Sequence, residues 1–511
     1  MRLRGTISGV VLPAVALLPL LFGACSEHST TTPEMIGGDG GTGQTTTGTV
    51  AGTSAGITTS AATTGVGGAS GVGGPSSVAT GVGGTGTTGA GPTTAGPTTM
   101  GPTTAGPTTM GSTTAGPSTG AGGATTATSA TTSATTGGDV DCVLPEFPDA
   151  GSLPDLGFKL PDPYTFYDGT KVTTKAQWEC RRKEILAMAA KYLYGPIPGD
   201  CDEVSGTVNG GNISISCTVG GSTESFSATI SGSGEAINLN LGSGILPQGK
   251  SLSLGNGNDA KIRSLYGLSE INPNIANAWM VNRVMDVLEA NPDSGHDPTK
   301  LAVSGCSGCG KGAFFVGVFS RIPITVIVES GGGGGTSWRM TEWFTHGDGQ
   351  SEWSCSDRPQ GIDVLEDNGI CGPWVTSAAQ SFRSNPETVN NLPFDQHMLL
   401  ATIAPRYLVH FTNSNFSWCW LAGTSEALAS WAAHSVYTAL GVPENHSFEV
   451  YDGGHCGVGD TGIAAAMFDR AINGNMNADT GQININDSYM QLPVSAWKDT
   501  FIDWDMDTVL E

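Results

Sequence analysis

The stretch LAVSGCSGCGKGAFFVGVF, residues 301–319, constrains the fold more than any other part of the chain. It predicts a short strand over Leu301–Ser304, a glycine-rich turn over Gly305–Lys311 and a helix that runs to Phe319. Ser307 stands in the middle of the turn. A sharp strand-to-helix turn of small residues is the setting of a nucleophile elbow, because the turn lifts the serine hydroxyl clear of the sheet.

The turn departs by one position from the strict elbow pattern G-x-S-x-G. Cys309 occupies the place of the last glycine, and Gly310 follows it. The alternatives to an elbow are a turn that only packs and a loop that binds phosphate. A phosphate loop requires Ser or Thr after its Gly-Lys pair, whereas Gly312 follows Lys311 here.

The elements around the turn predict an α/β protein with a doubly wound, mostly parallel sheet and an antiparallel N-terminal part. The run Ile322–Val328 is continuously apolar and β-branched, which is typical of a strand buried on both faces of a parallel sheet. Upstream, Gly206–Leu241 alternates polar and apolar residues between turns and predicts antiparallel strands. The other predicted strands are Tyr407–Phe411 and Ser447–Tyr451, and the other predicted helices are Lys175–Tyr194 (capped by Thr174), Asn277–Ala290 and Ala427–Leu440.

An elbow serine needs an acid and then a histidine further along the chain. Glu329 ends the strand that follows the elbow and precedes the glycine run 331–335, at the sheet edge where such folds bind ligands. His455 lies in a glycine-rich turn behind a later strand, which suits a mobile general base. Asp452 and Asp460 are alternative acids, and Glu329 could instead have a structural role.

The first 140 residues lack the composition of a folded domain. Residues 1–25 combine two arginines, a short apolar run broken by prolines and a small-residue ending at Cys25, typical of a bacterial lipoprotein signal peptide. We expect lipidation of Cys25; ordinary cleavage to a soluble product is the alternative. Residues 26–140 are rich in Gly, Thr, Ala and Pro, repeat the unit GPTTA from residue 91, and predict a disordered linker. Residues 141–511 can bury one large core.

The net charge limits the class of partner, and the cysteine content bears on the compartment in which the protein works. The formal net charge of −24 argues against nucleic acid, whose phosphates would be repelled. There are eleven cysteines, and ten remain when Cys25 is set aside. In an exported chain an even number of cysteines predicts disulfides.

Several motifs resemble the glucuronoyl esterases of carbohydrate esterase family 15, and the fungal branch most closely. They keep the family's order over nearly all of residues 142–457. Besides the elbow, the matching motifs are LPDP at 160–163, DGTKVTT at 168–174, WECRR at 178–182, ESG at 329–331, LPFDQHML at 392–399, IAPR at 403–406, and AH at 433–434 with LGVP at 440–443.

The resemblance implies an α/β-hydrolase whose nucleophile is Ser307, whose acid is Glu329 and whose base is His455. The family has an arginine directly after the nucleophile that helps to hold the oxyanion, and Gly308 stands there in this chain. Its backbone N–H can still donate, but the charged donor is missing. Loss of one oxyanion donor costs about a hundred- to a thousandfold in rate.

The same resemblance assigns the sugar contacts. Lys311 matches a lysine that contacts sugar hydroxyls, although a solvated helix start is an alternative. Trp418 matches the tryptophan that packs on glucuronate; Trp420 is close enough to take its place, and core packing is the other alternative. Gln360 matches a family glutamine. Cys371, three residues before Trp374, replaces a substrate-contacting glutamate, and the loop Thr336–Gly372 is extended.

Disulfide pairing follows partly from the resemblance. It implies Cys306–Cys456, beside both the nucleophile and the histidine, and Cys142–Cys180. Cys201–Cys217 is predicted from a hairpin-like spacing. Elimination then leaves Cys355–Cys371 and Cys309–Cys419.

The function implied is hydrolysis of the 4-O-methyl-D-glucuronic acid esters that join glucuronoxylan to lignin alcohols in plant cell walls. The mechanism requires no cofactor or metal. We expect a monomer that is secreted or carried on the cell surface, held in a bacterial outer membrane if Cys25 is lipidated. The alternatives are an acetyl or feruloyl esterase with the same triad and a catalytically lapsed homologue that only binds carbohydrate.

Overall fold

The computed structural model describes residues 142–242, 244–352, 359–365, 371–413, 423–458, 461–485 and 493–511. The predicted signal peptide and linker lie outside these residues. The strands are β1 Glu203–Asn209, β2 Asn212–Val219, β3 Ser222–Ser231, β4 Ala236–Gly242, β5 Gly249–Leu254, β6 Leu301–Cys306, β7 Ile324–Val328, β8 Tyr407–Asn413, β9 His446–Tyr451 and β10 Ile483–Asn484. The helices are α1 Lys175–Ala189, α2 Asn258–Tyr266, α3 Pro273–Ala290, α4 Gly308–Phe319, α5 Trp338–Thr345, α6 Gln380–Ser384, α7 Gln396–Ala401, α8 Gly423–Ala439, α9 Gly462–Asn473 and α10 Val494–Phe501.

The described strands form one sheet in the order β1-β2-β3-β5-β4-β6-β7-β8-β9-β10. From β4 through β10 the strands are parallel, while β1, β2, β3 and β5 pair antiparallel, as the sequence predicts. One part of that prediction is wrong, because β4 runs parallel to both β5 and β6. Its first four residues are all buried, since β4 lies inside the sheet rather than at its edge.

The centre of the sheet is covered on both faces, and this fixes the two strands that support the elbow. All residues of β7 are buried. Ile324, Val326 and Val328 pack in one cluster with residues of α9, and Ile327 packs in another with Phe314 and Phe315 of α4. The prediction of a strand buried on both faces is confirmed, and β6 and β7 form a rigid base for the turn between β6 and α4.

Helix α1 begins where its capping residue predicts. The Gln177 N–H donates to Thr174 Oγ1 at 3.1 Å, and the Thr174 N–H donates to Gln177 Oε1 at 3.2 Å. This reciprocal pair satisfies two donors that the first turn of a helix leaves open. The helix continues as a π-helical turn over Ala190–Tyr194, which accounts for the predicted span to residue 194. None of the described helices is both long enough and apolar enough to span a membrane.

Four disulfides lie within the described residues. Cys142–Cys180, Cys201–Cys217 and Cys306–Cys456 pair as expected. The fourth, Cys309–Cys371, contradicts the pairing by elimination, which joined Cys371 to Cys355 and Cys309 to Cys419. The Cα atoms of Cys309 and Cys371 are 5.1 Å apart, within the range that a disulfide spans. Cys355 and Cys419 lie outside the described residues.

Buried histidines predict a loss of stability in mild acid. His397 of α7 is fully buried, its Nε2–H donates to Pro161 O at 2.8 Å, and burial lowers its pKa to about 4. Between pH 6.5 and 4 the unfolded chain therefore binds a proton that the folded chain does not. The free energy of unfolding should fall as pH decreases through this window, by about 3 kcal/mol for this group.

The measurement is urea unfolding at a series of pH values from 7 to 4. The variant His397→Gln should have a slope of unfolding free energy against pH that is smaller by about one proton across this window. An unchanged slope would show that other groups cause the acid sensitivity.

Candidate active site

Ser307 lies between the end of β6 and the start of α4 with its backbone in a strained conformation. Its φ of 59° and ψ of −125° are rare for a residue with a side chain. Hydrogen bonds hold it there: the Ser307 N–H donates to Val328 O at 3.0 Å, and the Lys311 N–H donates to Ser307 O at 3.1 Å. Strain of this kind is kept where a reactive side chain must project from the fold.

The tight turn explains both the glycines and the departure from the usual pattern. A methyl group built on Gly305 would lie 2.1 Å from Cys309 O, and one built on Gly310 would lie 2.6 Å from Val328 O. Neither position admits a larger residue. Cys309 is tolerated because its side chain leaves the turn toward Cys371. The glycine that this elbow requires is therefore residue 310.

Glu329 is the carboxylate that contacts the histidine. It follows β7 with a φ of 44°, its N–H donates to Phe411 O at 2.8 Å, and it is fully buried. Its Oε2 accepts hydrogen bonds from His455 Nδ1 and from the Cys456 N–H, the latter at 3.1 Å. Its Oε1 has no hydrogen-bond partner among the residues that the structure describes.

His455 is fixed by its neighbours while its ring remains accessible. Its side chain is 24% exposed, so the imidazole borders the solvent. The preceding loop is held by Asn413, whose Nδ2 donates to Gly453 O at 2.7 Å. Because an ionised carboxylate only accepts, the Nδ1 that faces Glu329 carries the proton, and Nε2 is the basic nitrogen. Asp452 is exposed, and Asp460 lies outside the described residues.

The Cys306–Cys456 disulfide joins the residue before Ser307 to the residue after His455, with Cα atoms 5.8 Å apart. These two sulfurs, Glu329 and His455 place ligand-type atoms within 4.8 Å of one another, a spacing that could hold a metal ion. A metal-binding cysteine must be a thiolate, however, and here both sulfurs are oxidised. The arrangement instead limits relative movement of the serine and the histidine.

A glycine loop brings two predicted sugar-contacting residues together. Lys311 is only 1% exposed, which excludes a solvated helix start, and its Nζ lies 4.5 Å from the centre of the Trp374 ring. A methyl group built on Gly334 would lie 2.9 Å from Lys311 Cγ, and one on Gly332 would lie 2.1 Å from Gln360 O. The loop that follows Glu329 therefore packs tightly against both Lys311 and Gln360.

Behind Glu329 lies a buried network that sequence reasoning missed. Ser330 donates through its N–H to Glu426 Oε1 at 3.0 Å, and its hydroxyl lies 2.5 Å from the same oxygen. His410 Nε2 lies 2.8 Å from this oxygen, and Thr412 Oγ1 donates to Glu426 Oε2 at 2.6 Å. Burial alone would raise the pKa of Glu426, but hydrogen bonds from His410, Ser330 and Thr412 and the charge of His410 hold it below its ordinary value. This carboxylate fixes the backbone directly after Glu329.

Not every predicted residue can be placed. Trp418 and its alternative Trp420 lie outside the described residues, as does Cys25. Trp374, which sequence reasoning used only as a landmark, proves to be the aromatic neighbour of Lys311. The sequence signal for this role of Trp374 was its place three residues after Cys371, which stands where the family has a substrate-contacting glutamate.

Comparison with known proteins gives one consistent result. The family model described as "Glucuronyl esterase, fungi" matches residues 209–441. A 4-O-methyl-glucuronoyl methylesterase of Schizophyllum commune is 32% identical over 323 residues, which are 58% of this chain and 78% of that protein.

Solved structures agree with the sequence comparison. The catalytic domain of a glucuronoyl esterase from Hypocrea jecorina aligns with a TM-score of 0.60 at 29% identity, covering 71% of this chain and all of that one. A mutant glucuronoyl esterase from Sporotrichum thermophile, in complex with methyl 4-O-methyl-β-D-glucopyranuronate, aligns with a TM-score of 0.57 at 28% identity. That alignment covers 70% of this chain and 98% of the other.

Proposed function

The chain belongs to the glucuronoyl esterase family, and from this we propose that it is a serine esterase that hydrolyses esters of 4-O-methyl-D-glucuronic acid. Its natural substrate is the ester that joins glucuronoxylan to lignin alcohols. The observation that carries the proposal is the contact between His455 Nδ1 and the buried carboxylate of Glu329, one disulfide away from a strained serine.

The reaction is a two-step acyl transfer. His455 Nε2 removes the Ser307 proton as the hydroxyl oxygen attacks the uronate carbonyl, and the Gly308 N–H stabilises the tetrahedral oxyanion. The imidazolium then gives its proton to the departing alcohol. Water, activated by the same histidine, releases the uronic acid from the acyl-enzyme. Glu329 keeps the imidazole in the required tautomer and stabilises its positive charge.

Recognition of the sugar follows from the same part of the fold. Lys311 and Gln360 donate hydrogen bonds to hydroxyls of the glucuronate, and Trp418 packs against its ring. A buried ammonium beside an aromatic ring is a rigid donor, which supports this role for Lys311.

The proposal extends to the place of action. The enzyme is exported, acylated at Cys25 and carried beyond the cell surface on the linker of residues 26–140, acting as a monomer on the insoluble wall. The four disulfides among the described residues support an oxidising compartment. The substrate is immobile, so a long tether enlarges the area that one enzyme molecule can reach.

The test of function is hydrolysis of benzyl glucuronate by the full-length protein, compared with acetylated xylan and a feruloyl ester. Release of glucuronic acid as the preferred reaction supports the proposal. Preference for the acetyl or feruloyl ester would keep the triad but move the function to another carbohydrate esterase. Binding of xylan without any hydrolysis would identify a lapsed enzyme.

The glycine after the nucleophile leads to a separate prediction. Gly308→Arg should raise kcat toward benzyl glucuronate by about tenfold or more, because a charged donor is added to the oxyanion site. Gly308→Ala controls for the added bulk and should give no increase. An unchanged kcat in Gly308→Arg would show that another group of this chain already completes the oxyanion site.

A further inference from the structure

We propose that the Cys309–Cys371 disulfide positions the sugar-binding wall of the site and thereby sets the affinity for the glucuronate ester, without taking part in the chemistry. The inference rests on the proposed function. It concerns the segment 371–374, called here the Trp374 segment, which joins an extended loop to the rest of the fold.

The disulfide connects this segment to the first turn of the elbow helix. Cys309 lies two residues after Ser307, and Cys371 lies three residues before Trp374. The two cysteines are 62 residues apart in sequence. Cys371 has a φ of 63°, so its backbone turns sharply at the point of attachment. The bond fixes one end of the loop directly beside the catalytic serine.

A second, non-covalent contact holds the same segment from helix α3. Asn274 is 3% exposed, and its Nδ2 donates to Cys371 O at 2.8 Å and to Pro373 O at 3.3 Å. A methyl group built on Gly312 of α4 would lie 3.3 Å from Asn274 Oδ1 and 3.5 Å from Cys371 Cβ. The Trp374 segment is thus packed against α3 and α4 at once, and the missing side chain of Gly312 gives it room.

The consequence of this attachment is the contact between Trp374 and Lys311. The tryptophan is 4% exposed and the lysine 1% exposed, and the Nζ lies 4.5 Å from the ring centre. The lysine stem is enclosed on its other side by the glycine loop, with Cδ 3.6 Å from a methyl group built on Gly333. If the Trp374 segment moved, the ammonium would lose the ring that fixes its direction. The donor proposed for the sugar hydroxyls would then be misplaced.

The catalytic groups are held by different contacts. Ser307 and His455 are tied together by Cys306–Cys456, and Glu329 is fixed through its N–H to Phe411 O at 2.8 Å. None of these contacts involves the Trp374 segment. Loss of the Cys309–Cys371 bond should therefore weaken substrate binding and leave the reaction of bound substrate nearly unchanged, which separates KM from kcat.

The experiment compares Cys309→Ser/Cys371→Ser with Cys201→Ser/Cys217→Ser in the full-length protein. The second pair removes a disulfide that joins β2 to the segment before β1, away from the catalytic residues. The expected result for the first pair is a KM for benzyl glucuronate that is about tenfold higher, with kcat within about threefold of the wild type. Turnover of p-nitrophenyl acetate, which is too small to reach the sugar contacts, should change by less than about twofold in both variants. The control pair should lower thermal stability without changing KM.

Asn274→Ala provides a second route to the same segment if the cysteine variant fails to fold. It keeps the disulfide, removes the hydrogen bonds to Cys371 and Pro373, and should raise KM in the same direction by a smaller factor. An active wild type with unchanged KM in both variants would overturn this inference alone. A wild type that is folded but inactive toward glucuronate esters would refute the proposed function and this inference with it.

Discussion

Replacing Ser307 with Ala should lower kcat toward benzyl glucuronate by roughly a millionfold, the size found when a serine hydrolase loses its nucleophile. Without the hydroxyl no acyl-enzyme can form, and the residual rate comes only from oriented water and the oxyanion site. The variant should fold normally. Alanine keeps the Cβ atom, so the strain at a φ of 59° and the backbone hydrogen bond to Val328 O both remain.

Ser304→Ala is a matched control for this variant. Ser304 is fully buried on the same strand, and its hydroxyl has no hydrogen-bond partner among the described residues. Removal of this hydroxyl should leave kcat within about threefold of the wild type, because it breaks no hydrogen bond among the described residues and the strand remains packed. Both variants should unfold at the wild-type temperature to within a few degrees, as judged by circular dichroism. Retention of more than about one per cent of kcat in Ser307→Ala would rule out Ser307 as the nucleophile.

The elbow was predictable because two signals coincided within one short stretch. The run of small residues from Gly305 to Gly310 lies between an apolar strand and an apolar helix, and Gly305 and Gly310 each have a steric reason to be there. Glu329 and His455 were predictable from their positions behind strand ends. Parallel strands bring their carboxyl ends to one edge of the sheet, so residues distant in sequence meet there.

The direction of β4 could not be predicted in the same way. Alternation of polar and apolar residues reports which face of a strand is buried and carries no information about the direction of the neighbouring strand. The segment Gly206–Leu241 begins as an antiparallel meander and enters the parallel part of the sheet at its last strand. The elements that were not predicted at all are strands β5 and β10 and helices α2, α5, α6, α7, α9 and α10.

The wrong disulfide pairing has a geometric cause. Elimination treats the remaining cysteines as equivalent, but bonding requires that two Cα atoms approach to about 4.4–6.8 Å. Cys309 and Cys371 meet because Asn274 and Gly312 allow the Trp374 segment to lie against α4, a contact between parts of the chain far apart in sequence. The buried cluster around Glu426 was missed for a similar reason, since its members come from β8, α8 and the turn after β7.

Glu329, which we propose as the acid of the triad, gives the second large effect: Glu329→Gln should lower kcat by about 10⁴-fold, the loss seen when a triad carboxylate becomes an amide. The substitution keeps the shape of the side chain and removes its charge. If the amide oxygen faces His455, the tautomer survives, but the imidazolium that forms in the transition state has no counter-charge. If the amide nitrogen faces the ring instead, Nδ1 must accept a hydrogen bond, and the proton moves to Nε2, where the base is needed.

Asp452→Asn is the control that distinguishes Asp452 from Glu329 as the acid that pairs with His455. It makes the same change of charge three residues before His455, but Asp452 is exposed, whereas Glu329 is fully buried with its Oε2 against His455 Nδ1. Steady-state kinetics on benzyl glucuronate should show kcat for Asp452→Asn within about threefold of the wild type, because an exposed charge is well screened by solvent. A larger loss in Asp452→Asn than in Glu329→Gln would transfer the role of the acid to Asp452. A small loss in both would direct the search to Asp460, through Asp460→Asn measured on the same substrate.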